Sequence, residues 1–131
     1  MTSDHQQLLA AAARARQNAY APYSNFKVGA ALLTETGEIF TGCNVENASY
    51  GLSMCAERTA VFKAVAEGQR SFKAIAISLT SDGSPCGACR QVLHEFAPNL
   101  LILIGDDSGQ LTSQTTLDAL LPNPFGPNNL T

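Results

Sequence analysis

The sequence predicts an α/β fold, a three-layer α/β/α arrangement around a mixed sheet of roughly five strands. Three observations carry that expectation. The 131 residues are 45% hydrophobic and 15% charged, enough apolar material for one compact domain over residues 1–131 without disulfide support. Two short, largely apolar runs, Lys73–Thr80 and Leu100–Ile104, have the length of strands, and the second has the content of one covered on both faces. Segments with helical periodicity stand before and between the strand-like runs. The resulting order, α-β-β-α-β-α-β-(β)-α, sets helices on the faces of a mixed sheet.

Taken in order, the chain opens with Ser3-Asp4-His5-Gln6, which has the form of a capping box: a hydroxyl at the N-cap and Gln three positions later. Leu8, Leu9, Ala12 and Ala13 then recur at helical spacing, so residues 3 to about 18 are expected to form a helix packed on the domain. Tyr20–Phe26 is a loop, because Pro22 turns Ala21 away from helix. Lys27–Thr34 and Glu38–Cys43 read as a hairpin joined by Glu35-Thr36-Gly37. Asn44–Gly51 is a polar connection. Ser53 is expected to cap a helix over 54–67, with Ala56, Ala60, Val61, Ala64 and Val65 near one face and Gly68 as its stop.

Beyond the strand at Lys73–Thr80, Ser84 is expected to cap a second buried helix with Pro85 in its first turn. Ala88, Val92, Leu93 and Phe96 form its apolar face, and Pro98 follows its end. The strand Leu100–Ile104 leads to a turn at Gly105–Gly109, a short last strand at Leu111–Thr115 and a helical turn or two at Thr116–Leu121. The tail, Pro122–Thr131, carries Pro, Asn, Gly and one aromatic, Phe125.

Charge narrows the function. The net charge is −3, and the lysines and arginines are scattered with no basic run. Polynucleotide binding needs clustered positive charge, so a small neutral substrate fits better than a nucleic acid polymer. No stretch approaches the ~20 apolar residues of a membrane span, and no basic segment precedes Leu8-Leu9-Ala10-Ala11 as in a signal peptide. The four cysteines, Cys43, Cys55, Cys86 and Cys89, are too few for a disulfide-dense domain. The Cys86-x-x-Cys89 pair points to metal or redox chemistry in a reducing, cytoplasmic setting.

Two motifs carry the chemistry: Cys55-Ala56-Glu57-Arg58 and Pro85-Cys86-Gly87-Ala88-Cys89. Both fall at expected helix starts, where the helix dipole favours thiolate over thiol, and zinc binds the thiolate. Three thiolates leave a zinc site negatively charged. Arg58, three residues after Cys55, lies on the same helix face and is placed to donate hydrogen bonds to sulfur and offset that charge. Glu57 discriminates between roles. A structural zinc needs no carboxylate, whereas hydrolysis profits from one that moves a proton from water to substrate and leaving group. A closed four-cysteine site including Cys43, and a redox Cys-x-x-Cys pair, are the alternatives. The first has the wrong spacing for Cys43, and the second leaves Cys55 and Glu57 without a role.

With these motifs the chain resembles the cytidine deaminase family, specifically the small homotetrameric type with three zinc-binding cysteines; the signature is that of the zinc deaminases. The resemblance runs from Tyr23-Ser24-Asn25-Phe26-Lys27-Val28-Gly29 through Gly42-Cys43-Asn44-Val45-Glu46-Asn47-Ala48-Ser49-Tyr50 and both cysteine motifs to Leu120-Leu121-Pro122 and Phe125-Gly126-Pro127. It implies hydrolytic deamination of cytidine and deoxycytidine to uridine and deoxyuridine, with release of ammonia, in pyrimidine salvage. One Zn²⁺ per subunit would be held by Cys55, Cys86 and Cys89. Zinc-activated hydroxide would attack C4, with Glu57 as proton shuttle. Asn44 and Glu46 would bind the ribose 3′ hydroxyl, and Phe26 would stack on the pyrimidine. The Ala56 N–H and the Ser84 carbonyl would read the base edge. Tyr50 and Phe125 would reach a neighbouring subunit's site, giving a homotetramer with shared active sites. The nearest alternatives are a deaminase of a cytosine nucleoside antibiotic such as blasticidin S and a non-catalytic, zinc-stabilised binding module.

Overall fold

The computed structural model describes residues 2–81 and 83–130. Met1 and Thr131, the ends of the domain expected over 1–131, lie outside the described residues, as does Asp82. Five strands form one sheet in the order β2-β1-β3-β4-β5: β1 Gly29–Thr34, β2 Ile39–Cys43, β3 Phe72–Ser78, β4 Leu101–Gly105 and β5 Leu111–Thr116. The β3–β4 pair is parallel and the other three are antiparallel, so the sheet is mixed, as expected. Among the described residues four α-helices join it: α1 Ser3–Arg16, α2 Ala56–Ala66, α3 Gly87–Phe96 and the single turn α4 Leu117–Leu120.

The strands divide their side chains between two layers. Ala30, Leu32, Ile75, Ile77, Ile102 and Ile104 face a core shared with Ala60, Val61 and Ala64 of α2 and Leu93 of α3. Ala31, Leu33, Ala74, Ala76 and Leu103 face the other way, onto Leu8, Leu9 and Ala12 of α1. This is the period-2 alternation of a sheet covered on both faces, and it makes the three-layer α/β/α sandwich.

Topology brings the two motifs together. Strand β1 is antiparallel to both β2 and β3, so β2 and β3 run in the same direction with one strand between them. The chain therefore leaves both at the same end of the sheet, about 10 Å apart at two strand spacings. Helix α2 follows β2 and α3 follows β3, and both pack on the same face. Their N-termini converge as a result.

The sequence expectations hold for every strand and α-helix but miss the short 3-10 turns at Tyr50–Leu52 and Pro127–Leu130 and err at the caps. The N-cap of α1 is Thr2, whose hydroxyl accepts from the His5 N–H, one residue earlier than expected. Helix α2 is capped by Cys55 and α3 by Cys86, and neither side chain makes a capping hydrogen bond. The Ser53 hydroxyl instead accepts from the Asn47 N–H, and that of Ser84 from Arg90. Pro85 thus precedes the helix it was expected to begin. The cap positions are occupied by residues whose side chains serve the site, a local rule broken for function.

Gly42 sets the seat of α2. A Cβ there would lie 2.5 Å from the Ala56 carbonyl and 2.6 Å from the Ala60 N–H, both backbone atoms that cannot swing aside. Gly42→Ala is expected to displace the first turn of α2 and cost about 1–3 kcal/mol, read as a lower midpoint in urea or thermal unfolding. An unchanged midpoint would show that α2 tolerates the extra methyl group.

Candidate functional site

Cys55, Cys86 and Cys89 meet where the two helix starts converge. Their sulfur atoms all lie within 4.8 Å of one another, with Cys55 Sγ to Cys86 Sγ at 3.9 Å and Cys86 Sγ to Cys89 Sγ at 3.5 Å. Zn–S bonds of ~2.3 Å at tetrahedral angles put ligand sulfurs ~3.8 Å apart, so the three thiols fit a zinc ion. Three sulfurs leave the fourth tetrahedral position open, as in a catalytic and not a structural site. Among the described residues, Cys43 does not join the group, which removes the closed four-cysteine alternative.

The electrostatics are those of an anionic cluster with one cation beside it. Arg58 Nη2 donates to Cys55 Sγ at 3.3 Å, as the three-residue spacing anticipated. The Cys55 thiol is drawn down to about 5, first by its hydrogen bond with Cys89, against the cost of burial, and then by Arg58. Cys89 is held above the usual thiol range by the same sulfur–sulfur hydrogen bond and by burial. The Nε of Arg58 is buried without a hydrogen-bond partner. Such an orphan donor is costly.

Glu57 sits in the first turn of α2, next to the cap. It is 6% exposed, and its carboxyl is pushed up to about 6, chiefly by burial. The nearby negative charge on Cys55 adds to the rise, and Arg58 partly opposes it. A carboxylate with proton affinity close to neutral, buried beside a metal trio, is suited to taking up and returning a proton. Ala56, fully buried, is the first residue of α2, where an N–H has no partner within the helix.

The remaining expected residues fall into two groups in the structure. On one side, Asn44 clamps the loop that bears Phe26: its Oδ1 accepts from the Val28 N–H at 2.8 Å, and its Nδ2 donates to the Phe26 carbonyl at 2.8 Å. Glu46 Oε1 accepts from the N–H groups of Tyr23 and Ser24 at 2.9 and 3.1 Å, and Oε2 from the Ser24 hydroxyl. These bonds, the Ser24 hydroxyl foremost, hold its carboxyl below the usual carboxylate range. Tyr50 stacks edge-on against Tyr23 with ring centroids 5.7 Å apart. A cleft of about 280 Å³ opens there, lined by Tyr23, Ser24, Glu46, Tyr50 and Ser53. On the other side, Ser84 lies in the segment entering α3, and Phe125 is exposed, with its carbonyl accepting from Gln91 Nε2 at 2.8 Å.

Sequence reasoning quoted Tyr23 and Ser24 within a motif but gave them no role. Their contact with Glu46 spans more than twenty residues, so no local pattern announces it. Arg90 was likewise passed over as one scattered cation, although it directly follows Cys89.

Fold and site together define a zinc-dependent hydrolytic enzyme: an open three-thiolate metal centre with a buried carboxyl at convergent helix N-termini of an α/β/α sheet. The family "Cytidine and deoxycytidylate deaminase zinc-binding region" matches residues 2–104, and this chain belongs to it. The chain is 48% identical over 130 residues to a cytidine deaminase of Sporosarcina psychrophila, covering 97% of this chain and 95% of that protein. Among solved structures, the cytidine deaminase of Burkholderia pseudomallei superposes with a TM-score of 0.87 at 53% identity, covering 95% of this chain and all of that one. That of Mycobacterium tuberculosis gives a TM-score of 0.82 at 41% identity, over 95% and 99% of the two chains.

Proposed function

We propose that this protein hydrolytically deaminates cytidine and deoxycytidine to uridine and deoxyuridine, releasing ammonia. The observation that carries this reading is the three-sulfur zinc centre with the buried carboxyl of Glu57 at its edge, in a chain of the deaminase family. Bound zinc supplies a Lewis acid that lowers the pKa of water at the site. Glu57 takes one proton from the water that attacks C4 and delivers it to N3 of the ring. It then takes the second proton of that water from the new C4 oxygen and gives it to the amine, which leaves as ammonia as the C4–N bond breaks and the C4 carbonyl forms. Its raised proton affinity suits both halves of that traffic. Arg58 offsets the negative charge of the sulfurs through its bond to Cys55.

Around this centre, the Phe26 ring stacks on the pyrimidine, held by the Asn44 clamp on its carbonyl. Asn44 and Glu46 grip the ribose 3′ hydroxyl; each has hydrogen-bonding capacity beyond the contacts it makes within the protein. The Ala56 N–H and the Ser84 carbonyl meet the base edge. The four unbridged cysteines accord with a reducing, cytoplasmic compartment and a place in pyrimidine salvage, with residues 1–131 acting as one domain.

The same reading makes the protein a homotetramer in which Tyr50 and Phe125 reach a neighbouring subunit's site. Tyr50, Leu52, Phe62 and Phe125 are 74%, 69%, 47% and 60% exposed, apolar side chains that association would cover. Sedimentation equilibrium is expected to return four times the chain mass of 13.8 kDa; a mass near one chain would refute the shared site. The function itself is tested by the ultraviolet absorbance change as purified, zinc-loaded protein converts cytidine, with and without a zinc chelator. No change with zinc bound would overturn it.

A further inference from the structure

Arg90 makes three hydrogen bonds that lash together segments far apart in sequence. Its Nε donates to the Pro85 carbonyl at 2.7 Å, Nη2 to the Ser84 hydroxyl at 2.7 Å, and Nη1 to the Leu120 carbonyl at 2.8 Å. Every guanidinium nitrogen is engaged, and all three partners are neutral oxygens, so the residue is used for its fork geometry more than for charge pairing. Ser84 and Pro85 belong to no helix or strand. Proline has no N–H with which to anchor the segment itself. The peptide unit between them carries the Ser84 carbonyl, and Arg90 grips both sides of it: the Ser84 side chain on one, the Pro85 carbonyl on the other.

We infer that Arg90 is a positioning residue that aims the Ser84 carbonyl at the 4-amino group of the substrate and ties that loop to the segment leading into the C-terminal tail. This rests on the cytidine deaminase reading proposed above. The chemistry selects the amino group because a carbonyl only accepts hydrogen bonds, and the 4-amino group is the donor that cytosine presents beside its ring acceptors. The bond to Leu120 gives the loop a second fixed point, and the neighbouring Gln91 holds the carbonyl of Phe125 in the same tail.

The test compares cytidine with pyrimidin-2-one ribonucleoside, which carries hydrogen in place of the amino group, on zinc-loaded wild type and variants. Arg90→Ala is expected to keep one zinc per chain and to lose about 10- to 100-fold in kcat/KM for cytidine, the scale of a hydrogen bond to a charged group. The inhibition constant of the amino-free nucleoside should rise less than about threefold, because that ligand makes no bond to the carbonyl. Arg90→Lys restores charge without the fork and should recover little. Ser84→Ala should cost about two- to fivefold on cytidine in the wild-type background and nothing in the Arg90→Ala background, the sign of one shared interaction. Equal losses on the two ligands, activity lost in step with zinc, or full recovery with lysine would each overturn the inference. Should Arg90→Ala not fold, Arg90→Lys and Ser84→Ala carry the same comparison, and wild-type kinetics in both would overturn it. Absence of cytidine turnover in zinc-loaded wild type would instead sink the proposed function, and this inference with it.

Discussion

Glu57→Gln is expected to lower cytidine turnover by at least about 10²–10⁴-fold, the range of a positioned proton carrier, while zinc content and fold are kept. The amide matches the carboxyl in shape but takes up no proton at neutral pH. Residue 57 is almost wholly buried, and burial is the main reason its carboxyl titrates near 6. A neutral side chain in that position avoids the desolvation cost of a buried charge, so thermal stability should hold or rise. The combination of lost turnover, retained zinc and unchanged melting separates a catalytic carboxyl from a structural one. Retained activity would contradict the mechanism.

Cys89→Ser should release the metal and with it the activity. Cys89 is fully buried, within hydrogen-bonding distance of Cys86 Sγ, and interacts with Cys55. A serine hydroxyl is a far poorer zinc ligand than a thiolate and reaches less far. Two remaining sulfurs should not retain zinc against dialysis, and metal analysis is expected to fall from one equivalent to near zero. Because zinc binds the folded site, its loss should also lower the melting temperature, in proportion to the binding free energy at the working zinc concentration. Cys43→Ser is the control: Cys43 lies outside the trio, so one equivalent of zinc and normal turnover should remain. Zinc lost equally from both variants would place Cys43 in the metal centre after all.

These outcomes concern residues whose chemistry the sequence displayed openly. Cys-x-x-Cys and Cys-x-Glu are short motifs, and the Cys55–Arg58 contact follows from helical spacing alone. The strands were equally open to reading, because Ile75, Ile77, Ile102 and Ile104 lie in β-branched runs bounded by turns. The caps were misread for a physical reason. Serine is ordinarily the better cap, so Ser53 and Ser84 drew the assignment, yet their hydroxyls are committed to Asn47 and Arg90. Cysteines occupy the cap positions instead.

The clamps were beyond reach of any local pattern. Glu46 meets Tyr23 and Ser24 across more than twenty residues, Arg90 meets Leu120 across thirty, and Asn44 bridges Phe26 and Val28. Such bonds depend on which loops the sheet order makes neighbours.

The two cysteine motifs mark the division. Residue type and spacing pointed to zinc and to Glu57 as the carboxyl beside it, because ligand chemistry and helix periodicity are local properties. That they form one centre was decided by tertiary structure. Strands β2 and β3 flank β1 and run the same way, so both helices start at one end of the sheet. Only that arrangement closes the distance between Cys55 and Cys86 to 3.9 Å.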